Sequence, residues 1–437
     1  MSNRWKFAFL FLSLFTFRTL FGLSQPFFSP DELQTYLIGL KWYCHGGWPY
    51  FGPDLIVTET GYYSQIPGAL EALLIGLPFH LLPIPEAPFL LLNFLSLSGL
   101  AFFSLYLSKR IPDLSFFFIF TWLSLLPWNL HESTNPINPS YLLLGSLLFF
   151  LGFLEALPEL TLKWLSPVWA WALMGFGLFW DVQFHSSWVL LPPFILAVLW
   201  SRWKAGQLHP LREAMGFLAG SIFPLAFLVP TLVQYGFSAG APGMGLSVGF
   251  NLDNFLSIYL ILPRFFALGA FEIQRFLLLP GLAHHFDFFR LHPWLALPGL
   301  FLMGVGWVQV FLMVLAGWFK DPHHPDAEKM TVVAFLALLL VWISFWFTSK
   351  PPLAHIYYIL LPLVAAYSLY IWRRWVPHRG WRVLGVLCVL ANLWFESGYL
   401  FEAFKLQSLY TNRAQVLKAI QEKNDALLGE RRPGSYN

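Results

Sequence analysis

Two adjacent carboxylates, Asp31 and Glu32, follow the first long apolar run in the stretch SPDELQTYLIGLKWYCHGGWPY. Ser29 suits a helix N-cap, Pro30 suits the first helical position, and Glu32 is placed to reach back to the N-cap amide. Helix capping alone is therefore one interpretation of the pair. Capping uses Ser29 and Glu32 but not Asp31. Because Asp31 lies in the first turn of a helix at a membrane boundary, it is suited to act as a general base.

Other polar side chains stand at or near the ends of apolar runs. Ionisable groups in such places are costly, and those that can face a common cavity are functional candidates. We expect a pocket shared with Asp31 and Glu32. The further candidates are Lys41, His45, His131, Glu132, Asn135, Asn138, Asp181, Gln183, His185, Lys350 and His355.

Several of these residues have simpler interpretations. Lys350, before two prolines, is also placed to be an anchor that extends its ammonium to the membrane surface. His185 is equally suited to an interfacial residue bonded to nearby backbone. The segment NLHESTNPINPSYLL, with His131 and Glu132, has the composition of a capped turn. His284, His285 and Asp287 have the composition of a metal site but not its spacing, and we interpret them as surface residues.

The composition requires elements that cross a membrane. The 437 residues are 57% hydrophobic and 11% charged, with a mean hydropathy of +0.61, unlike a soluble domain. Apolar runs of about twenty residues match the length that a helix needs to span a bilayer. The basic residues form no patch interleaved with aromatics, which disfavours nucleic-acid binding. The two cysteines, Cys44 and Cys388, show no metal-ligand spacing.

The sequence predicts an all-α, polytopic membrane protein with about eleven transmembrane helices. With the N-terminus inside and the C-terminal tail left aside, fourteen Lys and Arg lie in inner segments and five in outer loops, which agrees with the positive-inside rule. The inner and outer ends below are those of this predicted orientation. The predicted spans are 5–24, 87–108, 113–129, 140–156, 166–182, 184–200, 212–234, 295–318, 330–348, 355–372 and 381–399.

One apolar segment, residues 66–82, is left out of the spans. Counting it would place Lys109 and Arg110 outside, and it contains Glu71, Pro78 and His80. We therefore predict a helix lying at the outer membrane surface. The transmembrane domain then covers 1–399, with outer loops at 25–86 and 235–294, and residues 400–437 form a polar helical tail on the outer side.

The order of these features resembles a known family. An Asp-Glu pair after the first span is followed by GGWPYFGPD, the amphipathic PGALEALLIGLPF, and LLNFLSLSGLAFFSLYLSKR; DVQFHSSWVLLPP and TSKPPLAHIYYILLP come later. This pattern resembles the GT-C glycosyltransferases that use polyprenyl-phosphate sugars, in particular the protein O-mannosyltransferase and lipid A aminoarabinose transferase group with its bacterial relatives. The resemblance covers most of the first 370 residues.

The resemblance implies an inverting sugar transfer at the outer face of the inner (plasma) membrane, facing the periplasm or exterior. The donor would be a polyprenyl-phosphate sugar and the acceptor a lipid, glycan or protein hydroxyl. Asp31 would be the base, and Glu32 would orient the loop or a sugar hydroxyl. A departing phosphate needs cationic or hydrogen-bonding partners. We expect these to be Lys350, His355, Tyr357, His185 and Arg18, and the span that follows the first loop lacks the arginine often found there.

The aromatic side chains Trp48 and Tyr50 are candidates for stacking on a sugar ring, although most aromatics in such a chain serve packing or the membrane interface. The sequence assigns no metal. A divalent cation held by Asp31, Glu32 and a histidine is an open alternative. Two other functions are open as well: an O-antigen-type polymerase or ligase, with its basic residues at Arg264, Arg275 and Arg290, and a lipid or sugar transporter or flippase. The latter would require internal repeats and broken spans, which the sequence does not show.

Overall fold

The computed structural model describes residues 3–24, 30–57, 63–236, 249–268, 290–319, 325–348, 352–376, 378–405 and 413–428. These residues form helices and one antiparallel hairpin. The elements are α1 (Asn3–Ser24), α2 (Pro30–His45), β1 (Phe51–Val57), β2 (Tyr63–Pro67), α3 (Leu70–Leu81), α4 (Ala87–Arg110), α5 (Phe116–Ser124), α6 (Pro127–Ser133), α7 (Leu142–Ala156), α8 (Pro167–Asp181), α9 (Pro192–Lys204), α10 (Pro210–Tyr235), α11 (Ile258–Phe266), α12 (Pro293–Ala316), α13 (Pro325–Phe345), α14 (Leu361–Trp375), α15 (His378–Lys405) and α16 (Arg413–Gln421).

Eight helices in the described ranges are long and apolar enough to cross a membrane. The predicted helical architecture is confirmed, and these helices are compatible with a multi-pass membrane protein. Each coincides with one of the predicted spans. They are Arg4–Ser24, Ala87–Arg110, Asn138–Ala156, Pro210–Tyr235, Pro293–Ala316, Asp326–Phe345, Ala354–Trp375 and Arg379–Ala403.

The other three predicted spans are helical but shorter or interrupted. The segment 113–129 is divided at Pro127 into α5 and α6, because proline readily starts a helix and poorly continues one. The segment 166–182 contains the 15-residue α8, and 184–200 contains a 3-10 turn followed by the 13-residue α9. The predicted count of eleven is therefore not confirmed.

Glycines allow α8 to pack closely between α7 and α10. A Cβ on Gly175 or Gly220 would overlap backbone atoms of the facing helix, at Phe217 and Ala172 respectively. Small residues at such crossings let membrane helices approach closely, since lipid supplies no hydrophobic drive for association. This packing holds the C-terminal end of α8 beside the N-terminal end of α7.

The first loop folds into α2, the hairpin and α3. The helix α2 begins at Pro30, as its proline predicts, whereas Ser29 lies outside the described residues and the capping box stays a prediction. The helix α3 lies within the segment 66–82 and packs on α2 where Gly39 meets Ile75 and Gly76. The sequence analysis did not predict the antiparallel hairpin of β1 and β2.

The polar tail lies against the first loop. His45 Nε2 is 2.7 Å from Asp425 Oδ1, and Arg413 Nε donates to Glu86 Oε1 at 2.8 Å. The apolar face of α16, which includes Ile420, is fully buried. The tail and the first loop therefore lie on the same side of the bundle.

A reporter fused after residue 110 tests the orientation. We expect it to report a cytoplasmic location, because Lys109 and Arg110 end a helix that returns from the outer side under the positive-inside rule. The measurement is the activity of a periplasm-only enzyme and of a cytoplasm-only fluorophore fused at the same point. An external signal would overturn the orientation and the assignment of residues 66–82 to the surface.

Candidate functional site

Three residues predicted for the glycosyltransferase site are undescribed in part or in whole, and Arg275, His284, His285 and Asp287 also lie outside the described residues. The backbone of Asp31 and Glu32 forms the first turn of α2, but their side chains lie outside what the structure describes. Lys350 lies outside the described residues altogether. Their predicted roles therefore stay predictions.

Asp181 and Gln183 lie at the outer end of α8 and are completely buried. Within the described part of the chain, both carboxylate oxygens of Asp181 and Oε1 of Gln183 have no hydrogen-bond partner. The Gln183 amide nitrogen donates to the carbonyl oxygens of Phe179 and Pro224 at 3.0 and 2.9 Å, which fixes the orientation of the amide. Buried polar atoms without partners are costly, so these two residues are functional candidates.

Glu71, in the first turn of α3, is a candidate that the sequence analysis missed. Its carboxyl group is fully buried, and neither oxygen has a hydrogen-bond partner among the described residues. Burial raises the pKa of the Glu71 carboxyl well above its usual range, which favours the neutral, proton-donating form. The sequence feature that could have identified it is a single acid in the apolar segment PGALEALLIGLPF. The sequence analysis uses Glu71 only to exclude this segment from the membrane spans.

Close contacts bring these acids to one end of the bundle. The backbone of Gly68, three residues before Glu71, lies directly against the Gln183 side chain. The indole nitrogen of Trp180 donates to the carbonyl oxygen of Tyr141 at 2.8 Å, and the Tyr141 phenol interacts electrostatically with Glu71. We call the following residues the outer acidic cluster: Glu71, Tyr141, Asp181 and Gln183.

Gly68 makes the closest contact between the first loop and Gln183. Its φ of +117° lies in a region that favours glycine, and a Cβ there would overlap the Gln183 side chain. We expect Gly68→Ala to destabilise the fold by about 1–3 kcal/mol, the cost of a strained backbone position, and to displace Gln183. Thermal unfolding in detergent measures the loss.

Gly46→Ala is the matched control, because Gly46 also has a positive φ, +69°, but has nothing within 4 Å of its Cβ position. Gly46→Ala should lose only the stability that a side chain at a positive φ costs, because it creates no overlap with a neighbouring side chain. Equal losses in the two variants would contradict the close contact between Gly68 and Gln183.

Two predicted histidines are brought together. The rings of His185 and His355 meet edge to face, with centroids 5.7 Å apart. His185 Nδ1 lies 2.9 Å from the Ser187 hydroxyl and accepts from the Ser187 amide at 3.1 Å, so it caps the following 3-10 turn. The Nδ1 atom of His185 therefore has the structural role that the sequence left open, and the contact with His355 links the segment that follows α8 to the 3-10 turn that precedes α14.

The predicted sugar-stacking residues pack against α10. The ring of Trp48 stacks parallel to Phe227 at 6.3 Å, and that of Tyr50 meets Tyr235 at 5.2 Å. Trp48 keeps 39% of its surface exposed. These contacts fasten the first loop to α10, and they leave part of the Trp48 surface accessible to a ligand.

Arg18 belongs to a second buried polar group. Its guanidinium donates to the carbonyl oxygen of Ser124 at 2.9 Å and to the hydroxyl of Ser133. Tyr358 donates to Asn129 Oδ1 at 2.7 Å beside it. We call the following residues the arginine network: Arg18, Asn129, Ser133, Tyr358 and Glu396.

Glu396, on α15, is the second acid that the sequence analysis missed. It is fully buried, both of its oxygens lack a hydrogen-bond partner among the described residues, and it lies within electrostatic range of Arg18. The segment 381–399 is predicted as an apolar span, and its glutamate is not among the predicted site residues. An ionisable residue at membrane depth is a functional candidate by default.

Three more of the predicted residues lie near this network. His131 and Glu132 are on α6, the first half-buried and the second buried, and the charge of Glu132 interacts with Tyr358. Tyr357 is fully buried, and its ring meets those of Trp128 and Phe265 edge on. The Tyr357 ring is therefore part of an aromatic core.

The described residues contain no group of three or more His, Cys, Asp and Glu side chains placed to hold a metal ion. The divalent cation considered at Asp31 and Glu32 concerns side chains outside the described set and stays an open alternative.

The outer acidic cluster can therefore do two things chemically. Its buried carboxyl groups can donate a proton or a hydrogen bond when neutral, and its amide and phenolic oxygens can accept hydrogen bonds. Polyhydroxylated ligands such as sugars require both kinds of group.

Comparisons with known proteins give no match to a family model, a curated protein or a solved structure.

Proposed function

We propose that this chain is a membrane glycosyltransferase. It transfers a sugar from a polyprenyl-phosphate donor to an acceptor hydroxyl at the extracytoplasmic face of the plasma membrane, with inversion at the anomeric carbon. The acceptor is a lipid, a glycan or a protein. This proposal rests on residues of this chain and on the resemblance of its sequence pattern to GT-C enzymes.

The observation that carries the proposal is the position of the first loop relative to the polar end of the bundle. The helix α2 begins at Pro30, shortly after α1 ends at Ser24, and so Asp31 lies in its first turn. The same loop touches Gln183 through Gly68 and contributes Glu71 to the outer acidic cluster. The backbone of the first turn of α2 and a group of buried hydrogen-bonding atoms thus belong to the same end of the molecule.

In the proposed reaction each of these groups has a defined role. The acceptor oxygen attacks the anomeric carbon while Asp31 takes the hydroxyl proton, and the bond to the lipid phosphate breaks with the electron pair leaving on the phosphate oxygen. Lys350, His355 and His185 stabilise the phosphate charge. The outer acidic cluster binds sugar hydroxyls, and Glu32 orients the loop.

The sidedness of the reaction is part of the proposal. In the proposed topology the chain crosses the membrane eleven times, which places α2, α3 and the tail outside. The helices α5 and α6 together form one of these crossings, and α8 and α9 form one each. An odd number of crossings between α4 and α7 is required if α4 ends inside and α7 begins outside. The break at Pro127 then lies within the membrane, where α6 is buried against other helices.

The proposal is tested with purified protein in lipid nanodiscs. Radiolabelled polyprenyl-phosphate sugars are supplied together with envelope lipid, glycan and protein fractions, and the product is isolated and its anomeric configuration determined. We expect a labelled product with inverted configuration in at least one acceptor fraction.

A transporter or flippase would give a different result. It would move labelled lipid across the bilayer of proteoliposomes without forming a covalent product. Such movement, combined with the absence of transfer for every donor and acceptor pair, would refute the proposal.

A further inference from the structure

The end of the described chain, residues 413–428, folds into a short unit that packs on α2. It consists of α16 and the 3-10 turn Asp425–Leu428, and we call it the tail unit. Between these two elements Lys423 has a φ of +48°, and its ammonium lies 5.2 Å from the centroid of the Tyr43 ring. A costly backbone conformation persists only where its surroundings fix it. The tail unit therefore has a defined conformation where it meets α2.

The 3-10 turn of the tail unit contacts the C-terminal end of α2. His45 Nε2 lies 2.7 Å from Asp425 Oδ1, and the Cys44 sulfur lies beside the backbone amide of Asp425. The His45 side chain is 66% exposed and that of Asp425 is 13% exposed. Exposed polar contacts contribute little stability singly. The contact between His45 and Asp425 therefore mainly fixes how the two elements face each other.

The turn before α4 binds both the tail unit and α2. Arg413 Nε donates to Glu86 Oε1 at 2.8 Å. The Tyr36 hydroxyl of α2 donates to the carbonyl oxygen of the preceding residue, Pro85, at 3.0 Å. The tail unit, α2 and this turn thus contact one another pairwise. Such a closed set of contacts leaves α2 little freedom to tilt relative to the bundle.

Apolar side chains supply most of the attachment of the tail unit. Val416, Ala419 and Ile420 of α16 are fully buried. They belong to the same apolar core as Leu37 and Leu40 of α2. The removal of such side chains from water is the main favourable term in packing. The tail unit is therefore attached through the core and not by surface charges alone.

The helix α2 connects this attachment to Asp31. It is a single helix of 16 residues, so its two ends move together. Near its middle, Gly39 packs closely on Ile75 of α3. At about 1.5 Å per residue, His45 lies about 9 Å from Gly39, and Asp31 lies about 12 Å away in the other direction. A tilt about this contact displaces both ends by similar distances, and a displacement of about 1 Å can lower a rate about a hundredfold.

We propose that the tail unit fixes the direction of α2 and thereby positions its first turn for the reaction. Arg413 and Asp425 are positioning residues, because each acts on Asp31 through α2. The effect on sugar transfer rests on the proposed function, whereas the effect on α2 does not. The polar tail is thus a working part of the site, although it lies far from Asp31 in the chain.

Arg413→Glu tests this role in the full-length protein in nanodiscs. The new carboxylate would face Glu86, so it should free one end of the tail unit and let α2 tilt. We expect the backbone amides of α2 to exchange with solvent at least about tenfold faster, because local opening becomes easier. We also expect kcat for sugar transfer to fall at least about tenfold, with an unchanged KM for the polyprenyl-phosphate sugar. Exchange is measured by mass spectrometry of peptides that cover α2.

Lys418→Glu is the matched control. Lys418 also lies on α16, but it is exposed, and its ammonium lies 3.9 Å from the carboxylate of Glu422 within the tail unit. The same change of charge should therefore leave the exchange of α2 and kcat unchanged within about twofold.

Charge exchange separates positioning from a general loss of stability. Glu86→Arg combined with Arg413→Glu rebuilds the ion pair with the charges exchanged. The double variant should restore slow exchange of α2 and the kcat of the unmodified protein.

A disulfide gives an independent rescue. Asp425→Cys, made together with Cys388→Ala, places a thiol beside Cys44, so that mild oxidation can join the tail unit to α2. In the Arg413→Glu protein this disulfide should restore both slow exchange and kcat, and its reduction should abolish the rescue.

Three results would each overturn the proposal: unchanged α2 exchange in Arg413→Glu, faster exchange with an unchanged kcat, or no disulfide between Cys44 and position 425. Absence of transfer in the unmodified protein would refute the proposed function instead. The exchange measurements would then still decide whether the tail unit holds α2 in place.

Discussion

Asp31→Asn is expected to reduce sugar transfer by at least about a hundredfold, the contribution of a general base at its lower end. Asparagine keeps the size of the side chain and its ability to bond backbone amides, but it cannot take the proton of an acceptor hydroxyl. The N-terminal turn of α2 should therefore persist. Transfer is measured as initial rates with a saturating polyprenyl-phosphate sugar, and the fold by thermal unfolding in detergent.

The control is Asp253→Asn. Asp253 is an exposed acid in the second outer loop, in the first turn of a 3-10 helix, so it reproduces the chemical change without the proposed role. We expect its rate to match that of the unmodified protein. Full transfer activity in Asp31→Asn would remove Asp31 as the base.

The apolar spans could be predicted from the sequence because each has its own hydrophobic signal. A run such as Ala87–Arg110 is identified by length and composition alone, without reference to its neighbours. The shorter helices could not be bounded in this way. The lengths of α8 and α9 are set by packing against adjacent helices and by their loops, which depend on tertiary contacts.

Among the buried polar residues, too, some could be predicted from the sequence and others could not. Asp181 and Gln183 were predicted because they stand at a span end, and the structure places both in a buried polar group. Glu71 and Glu396 were not, since each is a single acid inside an apolar segment. Their importance depends on partners distant in the chain, Tyr141 and Arg18 respectively.

Arg110 shows how charge counting can hide a structural role. It was counted only as one of the basic residues that orient the chain, but it is buried and bonded on all sides. Arg110 Nε donates to the Tyr106 hydroxyl at 2.7 Å, and Nη2 donates to the carbonyl oxygen of Leu160 at 2.6 Å. A residue can obey the positive-inside rule and still be part of the core.

Glu155 is the acid that completes this inner network. Its Oε1 accepts from the Tyr106 hydroxyl at 2.8 Å and from the amide of Leu162 at 3.0 Å, and its Oε2 accepts from the amide of Trp164 at 2.8 Å. It also pairs with Arg110 at 3.6 Å. One carboxylate therefore joins α4 and α7 to the loop before α8.

Glu155→Ala is accordingly expected to destabilise the protein by about 3–5 kcal/mol, the cost of removing one partner of a buried ion pair. The guanidinium of Arg110 would be left buried without its counter-charge, and the backbone amides of the loop would lose their acceptor. That loop includes Lys163 at a φ of +58°, a costly conformation that persists only when its surroundings fix it.

The control for this variant is Glu159→Ala, four residues further along. Glu159 is exposed and contacts the exposed hydroxyl of Ser201, so its loss should change stability by no more than about 0.5 kcal/mol. Thermal and chemical unfolding in the same detergent measure both variants. Similar stabilities for the two would mean that the Glu155 network does not hold the inner end of the bundle together. Because α7 and α8 continue from this point to Tyr141 and Asp181, a loop released at Glu155 should also loosen the outer acidic cluster.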